Sequence, residues 1–134
     1  MPYALSLESR GGYLHARVTG SGNQQTVLDY TQEIHNACIE RDLRAVLIEE
    51  NLSGPSISLS AVLQIVAERA PQAVKLLKRI ALVDLNPEHN PSHLEFAENA
   101  AANRGLNLRL FPSVGAAQKW LQETPASGKD ASAG

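Results

Sequence analysis

Two uninterrupted apolar runs, Ala45-Val46-Leu47-Ile48 and Ile80-Ala81-Leu82-Val83, constrain this chain more than any other feature. A strand with one wet face alternates apolar and polar residues. A run without alternation fits a strand covered on both faces, in the middle of a parallel sheet. Parallel neighbours need a crossover, usually a helix, between them. The spacing between and around the two runs supplies such helices. Val27, Tyr30, Ile34, Ala37 and Cys38 recur three and four apart, as do Leu59, Val62, Leu63 and Val66.

The remaining elements follow from the same patterns. Tyr3, Leu5 and Leu7 alternate with polar or small residues, and Leu14, Ala16 and Val18 alternate with Tyr13, His15 and Arg17. Arg10-Gly11-Gly12 between them suits a tight hairpin. The first helix starts near Asn23 or Thr26 and ends at about Arg41. The second is capped by Ser58, and Pro71 is expected to bend or end it, because proline has no N–H to donate. Ser92 can cap a third helix reaching Arg104, which Gly105 stops. Leu106, Leu108 and Leu110 mark a fifth strand, and Ser113 caps a last short helix carrying Val114, Ala117, Trp120 and Leu121. The alternating order predicts an α/β domain over residues 1–124, with a mixed, mostly parallel sheet of about five strands and four helices. Residues 125–134 are small and polar and are expected to be a disordered tail.

Composition excludes several function classes. The chain has 134 residues and a net charge of −2, which offers no electrostatic footprint for nucleic acid or an anionic membrane. No apolar run approaches the ~18 residues of a membrane span, and Met1 to Arg10 lack a basic segment followed by an apolar one. The single cysteine excludes an internal disulfide and favours a reducing compartment, so a soluble cytoplasmic domain is expected. Cys38 falls on the apolar stripe of the first helix and reads as a core thiol.

Beyond that, a resemblance contributes. Val46-Leu47-Ile48-Glu49-Glu50-Asn51-Leu52-Ser53-Gly54-Pro55, Arg79 to Asp84, Asn86-Pro87-Glu88-His89, Glu95 to Glu98 and Asn103 to Phe111 carry it, within a stretch from about Tyr13 to Leu121. Their order resembles the STAS domain of bacterial anti-sigma-factor antagonists, and more closely the SpoIIAA-like proteins, a STAS-related family also compared with the lipid-binding Sec14 domain. The resemblance implies a non-catalytic regulatory module working through a protein partner. In STAS antagonists a serine at the start of the helix after the central strand is phosphorylated by a partner kinase, which releases the antagonist. The usual signature is an aspartate followed by Ser-Ser-Gly or Ser-Gly. This chain instead reads Ser56-Ile57-Ser58-Leu59-Ser60, with no aspartate beside the serines and no glycine after them. Ser58 and Ser60 nevertheless occupy the corresponding place.

The candidate site is therefore the loop from Asn51 to Ser60, with Asn51, Ser53, Ser56, Ser58 and Ser60 as its phosphorylation or ligand-binding residues. A helix N-terminus there offers free N–H groups to an anion, and the crevice beyond strand carboxyl ends is where open α/β sheets bind ligands. Other groups carry less. Gly20-Ser21-Gly22 lacks the third glycine and the Gly-Lys ending of phosphate loops and reads as a strand-to-helix turn. His89, His93, Glu95 and Glu98 are the only sequence cluster suited to a metal, but Pro91 opposes a shared helical face. His15 and His35 read as surface or interface residues. Glu49 and Glu50 end the central strand, but adjacent strand residues point to opposite faces. The sequence thus predicts no cofactor, no metal, no catalytic residue, and a protein partner or a second copy of the chain. The alternative is a carrier of a small apolar or amphipathic, lipid-like ligand, with an enzyme third.

Overall fold

The computed structural model describes residues 3–123, so the expected tail lies outside the described residues. The elements are β1 (Tyr3–Arg10), β2 (Tyr13–Ser21), α1 (Gln24–Arg41), β3 (Ala45–Ser53), α2 (Leu59–Leu76), β4 (Arg79–Asp84), α3 (Pro91–Ala102), β5 (Leu108–Leu110) and α4 (Val114–Gln122). They form the expected α/β architecture, one five-stranded sheet in the order β1-β2-β3-β4-β5. β1 and β2 are antiparallel, joined at Arg10 and Tyr13 by a turn in which Gly12 has φ +90°. All other neighbours are parallel.

Sequential strand order has a geometric result. Right-handed crossovers between successive neighbours all pass over the same face of the sheet. Residues of α1, α2 and α3 accordingly share one core with Leu14, Ala16, Val18, Val46, Ile48 and Ile80. The other face packs Tyr13, Leu47, Ala81 and Val83 against Ala117 and Trp120 of α4. The two apolar runs send alternate residues into the two cores, which is why they do not alternate in polarity.

Local signals set most boundaries. Asn23 caps α1, its Oδ1 accepting the Thr26 N–H at 2.9 Å, and Asp42 closes the helix with φ 54°. Three expectations are corrected. Pro71 neither ends nor bounds α2, which runs on to Leu76. A proline inside a helix costs about 3 kcal/mol; the helix carries it because residues on both sides, Ile65, Ala70 and Ala73 among them, are held in the core. Asn90, rather than Ser92, caps α3, because Pro91 has the φ of a first helical residue and Ser92 then donates its N–H to Asn90 Oδ1. β5 begins at Leu108, since the Leu106 N–H is taken by Ala101 O at the end of α3.

β2 and β3 also run further than their patterns suggest, with Gly20 and Ser21 paired to Leu52 and Ser53. Gly22 secures this end: its N–H donates to Ser53 O at 2.9 Å, and a Cβ on it would lie 2.7 Å from that oxygen and 3.3 Å from Leu52 Cβ. Gly22→Ala is expected to destabilise the protein by about 1–3 kcal/mol, the usual cost of overpacking. Urea unfolding checks this; an unchanged midpoint would mean the strand ends separate freely.

Candidate functional site

β4 ends at Asp84, whose register partner is Glu50 in β3. Both belong to the alternating set that faces α1, α2 and α3. Between that face and the helices lies a pocket of about 190 Å³, lined among others by Ile34, Ile48, Ile65, Val66 and Leu82, with Tyr30, Glu50, Asp84 and His89 giving it a polar end.

That end is tightly bonded. The Tyr30 phenol donates to Glu50 Oε2. Asp84 Oδ2 lies 2.6 Å from His89 Nδ1, and Asp84 Oδ1 accepts the Asn86 N–H at 2.9 Å. The other ring nitrogen of His89 faces Gly54 O at 3.1 Å, while Asn86 Nδ2 donates to Leu52 O at 2.8 Å. Two further bonds tie the β3–α2 loop to the β4–α3 loop: Ser56 Oγ accepts the Asn90 N–H at 2.6 Å, and His93 Nδ1 lies 2.8 Å from Ile57 O. Burial, with the negative charge of Asp84 adding to it, pushes Glu50 up from 4.5 to about 7, although the bond from Tyr30 and the nearness of His89 act the other way. Tyr30 is pushed well above the ordinary phenol value by burial and by Glu50. Glu50 can thus hold or release a proton near neutrality at the end of an apolar pocket.

The five loop residues are not brought together. The alternation of β3 turns Leu52 to the pocket side and Glu49, Asn51 and Ser53 to the opposite face. Asn51 is exposed, and the Ser53 hydroxyl donates to Gly20 O at 3.1 Å. Ser56 lines the pocket. Ser58 Oγ accepts the Ala61 N–H at 3.2 Å as the cap of α2, and lies 3.3 Å from Ser60 Oγ, both residues being exposed.

Other residues weighed from the sequence fall elsewhere. Glu49 faces away from Glu50 and pairs with His15 at 2.8 Å and Arg17 at 3.4 Å. His15 is 2% exposed rather than a surface group, with its Nε2 against Glu49 Oε1. His35 is half-buried in the pocket lining, and burial, then Arg69, lower its pKa. Cys38 is buried, which raises its thiol to about 11. Glu98 is drawn off to accept the Leu110 N–H at 3.1 Å. His89 instead joins Glu50 and Asp84, with one ligand atom of each lying within 4.8 Å of the others. Two carboxylates and an imidazole are donors for a divalent first-row ion. Within it Asp84 and His89 are bonded to each other, whereas Glu50 is bonded through Oε2 to Tyr30. From the sequence, Glu50 and His89 are weighed and set aside, and Tyr30 and Asp84 are not weighed; the available signal is a carboxylate at the end of each apolar run.

A five-stranded mixed sheet wound in sequence order, with its polar loops beyond the carboxyl ends of β3 and β4, defines a SpoIIAA-like, STAS-related fold. Solved structures carry the comparison. The chain is similar to an anti-sigma factor antagonist from Mycobacterium paratuberculosis (TM-score 0.58, 18% identity, covering 90% of this chain and 95% of that one). It is similar also to an uncharacterised DUF3478-family protein with a SpoIIAA-like fold from Shewanella loihica PV-4 (TM-score 0.54, 17% identity, 89% and 93% covered). A third match is the anti-sigma factor antagonist SpoIIAA in its unphosphorylated form (TM-score 0.50, 13% identity, 87% and 96% covered). No protein-family model matches the chain, and no curated protein matches it in sequence. No helix among the described residues is long and apolar enough to cross a membrane.

Proposed function

We propose that this protein is a non-catalytic STAS-like regulatory module that acts through a protein partner, docked on the β3–α2 loop and the start of α2. One observation carries the reading: Ser58 and Ser60 are exposed at the N-terminus of α2, beside the apolar Leu59 and Leu63, which are 44% and 41% exposed. Two hydroxyls at a helix N-terminus next to exposed leucines suit a protein contact that a phosphate can switch. The likeness to anti-sigma factor antagonists supports it. A phosphate would bring about −1.5 to −2 charges to a place where helix N–H groups tolerate them.

The test replaces Ser58 and Ser60 together by Asp. Asp is itself a good cap, so thermal stability is expected to stay within a few tenths of a kcal/mol. A partner captured from native extract by the unmodified protein is expected to bind the double variant at least tenfold more weakly. Equal binding would make the serines structural and remove the proposal. Sedimentation of the protein alone shows whether the partner is a second copy.

A second reading, a carrier of a small apolar or amphipathic ligand, is favoured by the pocket behind the same loop.

A further inference from the structure

We infer that the pocket between the sheet and α1–α3 binds a small, single-ring-sized apolar molecule whose hydrogen-bond-donating head, a hydroxyl or an amine, sits on Glu50, and that it discriminates against carboxylates. The inference rests on the carrier reading and adds the size and the chemistry of the ligand.

Size comes from the volume. An apolar cavity of about 150 Å³ holds benzene, and this pocket measures about 190 Å³. It has room inside for one ring with a short arm, and not for two acyl chains. The walls, including Val27, Ile34, Ile65, Val66 and Leu94, supply the apolar surface for such a ring.

The head-group chemistry comes from what remains unbonded. An ionised carboxyl has about four lone-pair sites, and among the described residues Tyr30 alone donates to the Glu50 side chain, through Oε2. Glu50 therefore has acceptor capacity left at the polar end of the pocket, where a ligand donor can use it. Of the lining's basic groups, His35 has a buried Nδ1 with no partner among the described residues, but burial, then Arg69, lower its pKa and favour the neutral ring over a cation; the others have partners. Arg69 donates through Nε to Thr31 Oγ1 at 3.2 Å and through Nη2 to Leu28 O at 2.9 Å, which turns its guanidinium toward α1 while leaving its charge in place. His89 faces Asp84 and Gly54 O. His93 faces Ile57 O. A carboxylate head placed on Glu50 would meet two acidic groups, Glu50 and its register partner Asp84, where a hydroxyl or an amine meets an acceptor. Like charges in a site of low dielectric repel strongly.

Three probes of similar shape separate the cases: 2-phenylethylamine, 2-phenylethanol and 3-phenylpropanoate, titrated into the whole protein by calorimetry and by amide chemical shifts. The amine and the alcohol are expected to bind, shifting amides near Tyr30, Glu50 and Asp84, with the carboxylate at least tenfold weaker. Glu50→Gln is expected to weaken the amine at least tenfold and the alcohol much less, since the Gln carbonyl still accepts. Ala97→Phe, which fills the pocket, is expected to abolish binding of both. Should that variant not fold, the shifts in the unmodified protein still locate the site. A carboxylate binding as tightly as the amine would overturn the head-group assignment and leave the carrier reading standing. No binding by any of the three at millimolar concentration would overturn both. Extraction of a diacyl phospholipid from vesicles would overturn the size argument.

Discussion

Glu50→Gln is expected to make the protein more stable at pH 8, by up to about 3 kcal/mol. Burial lifts the Glu50 carboxyl from 4.5 to about 7 in the folded chain, and each pKa unit corresponds to about 1.4 kcal/mol. The sign follows from proton counting. Between 4.5 and about 7 the folded protein keeps a proton that the unfolded chain has released, so stability falls as pH rises through this window and levels off above it. Below 4.5 both states are protonated and the cost disappears. A glutamine imitates the neutral form at every pH. Its carbonyl can still accept from Tyr30, and it removes the repulsion with Asp84. Urea unfolding of both proteins from pH 4 to pH 8 gives the difference directly, because the remaining groups, His89 included, are common to both. A variant less stable than the unmodified protein at pH 8 would show that the ionised carboxylate is held by more than Tyr30.

The other large effect is expected from Trp120→Ala, a loss of about 3–5 kcal/mol, the usual cost of removing a buried large aromatic side chain. Trp120 is 8% exposed and carries most of the volume that α4 lays on the sheet. Its ring packs on Phe111 with centroids 5.3 Å apart, and the guanidinium groups of Arg79 and Arg109 lie 5.3 and 5.4 Å from its centre. Arg79 also donates to the Trp120 carbonyl, so the pair is fixed from both sides. As this is the only tryptophan, circular dichroism rather than fluorescence must follow unfolding. Trp120→Phe is expected to recover part of the loss. A cost below about 1 kcal/mol for the alanine variant would mean that α4 is dispensable.

Periodicity read the sheet well because the sheet is built from periodicity. The two apolar runs became β3 and β4, and the alternating segments became the hairpin. Pro71 does not end α2 for the opposite reason: its local effect is real, but Ala70 and Ala73 are held by the core from outside the helix. The site was half legible. Ser58 and Ser60 lie at the start of α2 as expected, but Asn51 and Ser53 belong to the end of β3, and strand alternation aims them away from the pocket. Tyr30, Glu50, Asp84 and His89 come from three segments far apart in the chain. Only the pairing of β3 with β4 and the packing of α1 over them bring the four together, and no motif in a single segment can carry that.

The winding of the sheet also sets an order of completion. Each strand is laid beside the one before it, so a chain emerging from the ribosome can build β1, β2, α1 and β3 in succession without waiting for distant sequence. Leu47, Ala81 and Val83 gain the Ala117–Trp120 surface only with α4, the last of the described elements to be synthesised. Until it docks, a nearly finished sheet presents an apolar strip to its surroundings. Such a species is prone to associate with other incomplete chains.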